Sequence, residues 1–259
     1  MAMENMHTMI DGVVEAGKVM LESGSEIYRS EETMIRMANS FGLKNVDIFT
    51  LSTCIYVTCD IDGESYTRIK RIYPKTTDLS KISRINQLSR DMAKEPLSIE
   101  AFTERLELIK NHEKPRKVVV ALTMALACAV FAFMLEKCSF NDGVCTAIIS
   151  FISYYLLEEL NRYHLHGLFK NMLVTMFMTF AAVICVQLGW GNQLDAIVIG
   201  NIMLVVPGVA LTNAIRDALN GDILSGLIRM VEAITIAIAI ALGVGFVLYL
   251  CQSIGGFVI

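Results

Sequence analysis

Hydrophobic and polar positions divide this chain into two regimes. From about Val118 to Leu250 it runs as five closely spaced apolar spans, and before Lys117 it runs as shorter amphipathic segments. In the first regime Met3–Ser23 has helical period, breaks at Gly24-Ser25, and resumes as a second helix over Glu26–Phe41 that ends at Gly42. Asn45–Ile61 alternates and is rich in Ile, Val, Thr and Tyr, which predicts a strand. A turn at Asp60–Glu64, centred on Gly63, leads to a hairpin partner over Ser65–Tyr73, and helices follow at Asp78–Ala93 and Ser98–Asn111. Residues 1–115 are therefore expected to form an α+β domain in the order helix-helix-hairpin-helix-helix, with enough chain for its own core.

The second regime, residues 116–259, predicts an all-α membrane domain with five transmembrane helices. Stretches of this apolarity are long enough to cross a bilayer. The spans are expected at Val118–Leu135, Val144–Leu157, Met172–Leu188, Ala196–Leu211 and Ala233–Leu250. The second is the weakest, being short and carrying Ser150, Ser153, Tyr154 and Tyr155, so that a buried or interfacial segment competes with a full span. In the fifth, Ala233, Ala237, Ala241 and Gly245 recur every fourth residue, a face on which another helix can approach closely, within the chain or from a second subunit.

Charge sharpens this division. Of 22 Lys and Arg residues, 17 lie at or before Lys117. Loops at about 158–171 and 213–229 carry Arg162, Lys170, Arg216 and Arg229, whereas the alternate loops carry only Lys137. The positive-inside rule then places the N-terminal domain in the cytoplasm and the C-terminus outside. The first residues lack a basic and apolar leader, so no signal peptide is expected, and the location is the cytoplasmic membrane. A net charge of -4 argues against a nucleic-acid partner. The seven cysteines show no metal spacing, although Cys138 and Cys145 could bridge across an external loop. His164 and His166 read as headgroup-region residues. No cofactor or metal is expected.

Candidate chemistry concentrates near the fourth span. Pro207 and Gly208 break its helix near the cytoplasmic end, and Asn201 lies earlier within the apolar stretch, where an amide needs a partner or a wet cavity. Discontinuous helices of this kind hold ions and small charged solutes in secondary transporters. Beyond the break, Asn213, Arg216 and Asp217 share one helical face. Asp222, Gly226 and Arg229 repeat that one-face arrangement a little later, with Glu232 following at the mouth of span five. Arginines pair with carboxylates in a bidentate fork, and buried acids can carry protons. In the N-terminal domain Glu26, Tyr28, Arg29, Glu31 and Glu32 form a polar patch at a helix start, which the helix dipole explains in part.

Two stretches resemble the threonine/serine exporter family. One is the run from Glu15 and Gly17 through Gly24, Glu26, Glu31 and Glu32 to Phe41-Gly42. The other is Leu204–Gly208 with Asn213, Asp217, Gly226 and Arg229 downstream. The resemblance implies efflux driven by the proton-motive force. Ending after five spans, the chain is similar to the large subunit of the two-component type, which implies a small integral membrane subunit as partner, an oligomer, and threonine, serine or a dicarboxylate such as succinate as solute. Two other classes compete. One is a membrane-anchored hydrolase-like enzyme using Glu26, Glu31 and Glu32 with Arg68 or Arg71; the other is a metabolite-sensing subunit. No phosphate loop, metal set or nucleophile elbow supports the enzyme.

Overall fold

A computed structural model describes residues 2–61, 64–73, 77–112, 115–135, 138–163 and 165–254. Gly63, Lys137 and His164 lie outside the described residues. The chain divides into two compact units, residues 1–113 with 208–231 and residues 114–207 with 232–259.

The first unit opens with α1 (Ala2–Glu22) and α2 (Ile27–Ser40), followed by β1 (Lys44–Leu51), β2 (Cys54–Ile61) and β3 (Glu64–Arg71). Helices α3 (Leu79–Lys94) and α4 (Ile99–Lys110) complete its N-terminal part. The strands form an antiparallel sheet in the order β1-β2-β3. The single long strand expected over Asn45–Ile61 is in fact two. Leu51 pairs with Cys54, so Ser52-Thr53 is a tight turn that carries none of the Gly, Asn or Asp residues that usually mark one. Alternation survives the turn: Ile55, Val57 and Cys59 are buried on one face of β2. They join Ile10, Met20, Ile27, Met34, Met37, Ile85 and Phe102 from the helices in one core. Asp78 and Ser98 cap α3 and α4 by accepting from the amides of Lys81 and Ala101, which is why both helices start where the sequence predicts.

The second unit contains α5 (Lys117–Phe133), α6 (Phe140–Arg162), α7 (Gly167–Gln187) and α8 (Leu194–Ile202). Helix α9 (Gly208–Leu219) belongs to the first unit, and α10 (Ile223–Ile254) runs from the first unit into the second. Among the described residues three helices are long and apolar enough to cross a membrane, α6, α7 and α10, in place of the five spans expected. The weak second span gains length at both ends and becomes a helix of 23 residues. Ser139 and Asp142 form a capping box ahead of it, and Glu158 and Glu159 stay helical beyond the apolar run. The first, α5, has 17 residues and is shorter than the other three.

The fourth expected span, Ala196–Leu211, is not one helix. Helix α8 stops after nine residues, roughly 14 Å at 1.5 Å per residue against a hydrocarbon core of about 30 Å. Val206 and Pro207 are non-helical and α9 restarts at Gly208, as the Pro-Gly pair predicts. Cys138 and Cys145 are free thiols, so the possible bridge does not form. In α10 the small-residue face divides: Ala233 is buried, whereas Ala237, Ala241 and Gly245 are exposed. Internal packing uses Gly243 instead, where a Cβ would collide with Thr175 and come within 2.7 Å of the Met172 carbonyl.

Candidate functional site

The polar positions after the helix break meet the first turn of the N-terminal unit. Helix α1 ends in a Schellman motif: Ser25 N–H donates to Met20 O and Gly24 N–H to Leu21 O, both at 3.0 Å. Gly24 takes φ +84°, a conformation costly for any residue with a Cβ. The turn leaves the carbonyls of Gly24 and Ser25 as acceptors, and two side chains from far along the chain reach them. Asn213 Nδ2 donates to Gly24 O at 2.8 Å, and an Arg229 guanidinium N–H donates to Ser25 O at 2.7 Å.

Helix α2 is capped by a group distant in sequence. Glu26 occupies its N-cap position but makes no side-chain cap bond. Instead Ile27 N–H donates to Asp217 Oδ1 at 3.0 Å, across 190 residues. A carboxylate here is favoured by the unpaired amides and the positive end of the helix dipole. Asp217 is fully buried; its Oδ2 has no hydrogen-bond partner and lies 3.4 Å from Arg229 Nε. Glu26 points to Arg216, with which it forms an ion pair, and its other oxygen lies 3.8 Å from Arg29. Burial pushes the Asp217 carboxyl above its ordinary range; the Ile27 amide and Arg229 pull it back only in part.

A second set of contacts extends the junction. Glu31 accepts the Thr50 amide at 2.7 Å, and Ser52 N–H donates to Ser225 Oγ at 3.3 Å. Burial raises Glu31, helped by the nearby negative charge of Asp222. Asp222 itself is raised by burial. Its position is set by a second Schellman turn at Gly221, φ +100°, where Asp222 N–H donates to Asp217 O at 2.9 Å. Gly226 lets α10 approach α9: a Cβ there would sit 2.7 Å from Ala214 O and 3.0 Å from Ala218 Cβ. Gly226→Val is expected to destabilise the first unit by about 1–3 kcal/mol through overpacking, measured as a lowered unfolding temperature of the purified protein in detergent. An unchanged transition would show that the helix pair can spread at no cost.

Of the residues singled out in the sequence, Asn213, Arg216, Asp217, Asp222, Gly226 and Arg229 therefore come together with Glu26, Arg29 and Glu31. Others stand apart. Glu32 pairs with Arg36 on the exposed side of α2. Glu232 is exposed, and Gly208 has open space around its Cβ position. Arg68 engages Asp11 at 2.7 Å, and Arg71 lies over the Tyr73 ring, so neither joins the acids of α2 as an enzyme site would need.

The second unit holds its own buried polar groups. Asn201 in α8 is fully buried, accepts the Ser150 hydroxyl at 2.7 Å and donates to Ile197 O at 2.7 Å. Ser153 is equally buried, and its hydroxyl has no hydrogen-bond partner. Sequence reasoning missed Asp142, a fully buried acid that accepts from the backbone amides of Ser139, Asn192 and Gln193 and from the Ser139 hydroxyl. The Ser-x-x-Asp spacing ahead of an apolar run was its signal. His166, read as a headgroup residue, caps α7 by accepting the Leu168 amide. Among the described residues no group of three or more His, Cys, Asp or Glu could hold a metal ion.

Comparison with known proteins supplies the context for this geometry. Residues 11–251 match the family model described as "Putative threonine/serine exporter". The chain is 25% identical over 232 residues to the probable succinate transporter subunit YjjP of Escherichia coli (strain K12), covering 89% of this chain and 90% of that protein. The protein of the same name from Klebsiella aerogenes is 24% identical, with 89% of each chain covered. A probable threonine/serine exporter of Mycobacterium tuberculosis is 22% identical over 93% of this chain but only 46% of its own length. No solved structure matches.

Proposed function

The chain belongs to the threonine/serine exporter family, and we propose that it is the large subunit of a two-component exporter of small polar metabolites, acting in the cytoplasmic membrane with a small integral membrane subunit. The observation that carries this reading is the buried polar junction between the α1–α2 turn and α9–α10, immediately after a broken apolar segment. It places the guanidiniums of Arg29, Arg216 and Arg229 and three carboxyls raised toward holding a proton, Asp217, Asp222 and Glu31, within one compact unit. Efflux coupled to proton movement needs groups of both kinds. Arg216 is the solute-facing arginine, because its side chain is 54% exposed, whereas that of Arg229 is 10% exposed and already pairs with Asp217. Asn201 and the Pro207–Gly208 break shape the solute path in the apolar spans.

The relatives named as succinate transporter subunits support a dicarboxylate as solute, and the relative named as a threonine/serine exporter supports those amino acids. The word subunit in two of these names supports a separate partner. The exposed face of Ala237, Ala241 and Gly245 on α10 offers the partner a surface for close helix approach. The loop charges support a cytoplasmic N-terminal unit.

Efflux of labelled serine, threonine and succinate from loaded cells tests the proposal, with this chain expressed alone and together with its small partner. Efflux is expected only with both, and a proton uncoupler is expected to stop it. No efflux of any of the three, with both proteins inserted in the membrane, would sink the exporter reading.

A further inference from the structure

Glu26 sits where a bound carboxylate would be expected. Its two oxygens are divided between two guanidiniums, Oε1 with Arg216 and Oε2 with Arg29 at 3.8 Å. The acid is enclosed, with 8% of its side chain exposed, but Arg29 and Arg216 are 46% and 54% exposed. Among the described residues neither guanidinium has another ion-pair partner. Two guanidiniums that converge on one carboxylate, each about half exposed, supply the charge and donors by which proteins hold a planar carboxylate. The start of α2 does not depend on the Glu26 side chain. Glu26 contributes no cap bond to α2, whose first amide is held by Asp217, so withdrawing its side chain leaves the helix start intact.

We propose that Arg29 and Arg216 form a binding site for the carboxylate group of a small solute, and that Glu26 fills this site until the solute displaces it. Arg29 is the residue that the sequence alone did not connect to Arg216. The inference rests on the exporter reading for the choice of solute, but the site itself is assayed as binding, without transport. A tethered carboxylate competes at high effective concentration. Removing it therefore strengthens solute binding, while removing either arginine weakens it.

The experiment is equilibrium binding of labelled succinate and, separately, labelled threonine to the purified full chain in detergent, for the wild type and for Glu26→Gln, Arg29→Gln, Arg216→Gln and Arg29→Lys. For at least one of the two solutes, Glu26→Gln is expected to bind about tenfold more tightly, and each Arg→Gln variant about tenfold more weakly, each tenfold being about 1.4 kcal/mol. Arg29→Lys is expected to fall between wild type and Arg29→Gln, since it keeps the charge without the fork. Misfolding cannot produce a gain in affinity, so the opposite signs separate the site from general damage. Glu26→Gln binding no tighter than wild type, Arg29→Gln binding as wild type, or no binding of either solute by any variant would each overturn the proposal. Loss of efflux in cells alongside the expected binding order would count against the exporter reading and leave the site standing.

Discussion

Replacing Arg229 with methionine is expected to lower the stability of the first unit by about 3 kcal/mol at neutral pH and to abolish export. Arg229 does two things that methionine cannot. It donates to the Ser25 carbonyl at 2.7 Å, and it is the nearest cation to Asp217 Oδ2, which has no hydrogen-bond partner. Breaking a buried ion pair from one side is costly because the remaining charge stays buried without compensation. Methionine fills much the same volume, so the loss is electrostatic and not one of packing. The double variant Arg229→Met with Asp217→Asn removes the stranded charge and is expected to recover most of the stability but none of the export. Unfolding in detergent and efflux from loaded cells measure the two effects. A single variant as stable as the wild type would mean that the pair does not hold α2 to α9 and α10.

The junction was legible in the sequence as a set of residues but not as a contact. Hydropathy and helical spacing selected Asn213, Arg216, Asp217, Asp222, Gly226 and Arg229, because charged groups between apolar spans are rare. Glu26, Arg29 and Glu31 were selected on a separate ground, as part of a dense polar patch at a helix start in the N-terminal domain. Nothing in local pattern says that a helix start at Ile27 takes its cap from Asp217, since the usual N-cap signal is the adjoining residue. Glu26 occupies that adjoining position and is drawn away by Arg216, so the local rule fails where the long-range contact succeeds.

The spans show a related limit. Apolar windows coincide with helices α5, α6, α7 and the second-unit part of α10, although among the described residues only α6, α7 and α10 are long enough to cross a membrane. They also merged α8 and α9 into one expected span, because the residues between Asn201 and Leu211 remain apolar on both sides of Pro207. Hydropathy reports the solvent that a segment prefers, whereas continuity is decided by the missing proline N–H. The capping box ahead of α6 and the Schellman glycines at Gly24 and Gly221 were readable from the same local chemistry that the Pro-Gly break used. The Ser52-Thr53 turn was not, since it has no turn residue with a backbone demand of its own.

Asp217→Asn is expected to eliminate export while leaving membrane insertion and fold intact, which separates it from the arginine variant. Two effects on stability oppose one another. Burial makes a charged carboxylate unfavourable at this position, so neutralising it is a gain; Arg229 then loses its counter-charge, which is a loss. The net change is expected to stay within about 1 kcal/mol, because the asparagine carbonyl can still accept the Ile27 amide. The pH dependence gives an independent reading. A carboxyl raised in the folded state keeps its proton over a range in which the unfolded chain, near its ordinary value of 3.8, has already released it. Folded protein then binds more protons than unfolded, so stability falls as pH rises through that window. Glu31 and Asp222 are shifted in the same direction and add to the slope. Glu15 and Asp60, held below their ordinary range, contribute the opposite slope, so the reading is the difference: from acid toward neutral pH the wild type is expected to lose unfolding temperature relative to Asp217→Asn. A proton held more tightly by a buried carboxyl than by a solvated one is a property that a proton-coupled acid needs. An asparagine variant that still exports would show that the proton on Asp217 stabilises the junction and takes no part in transport.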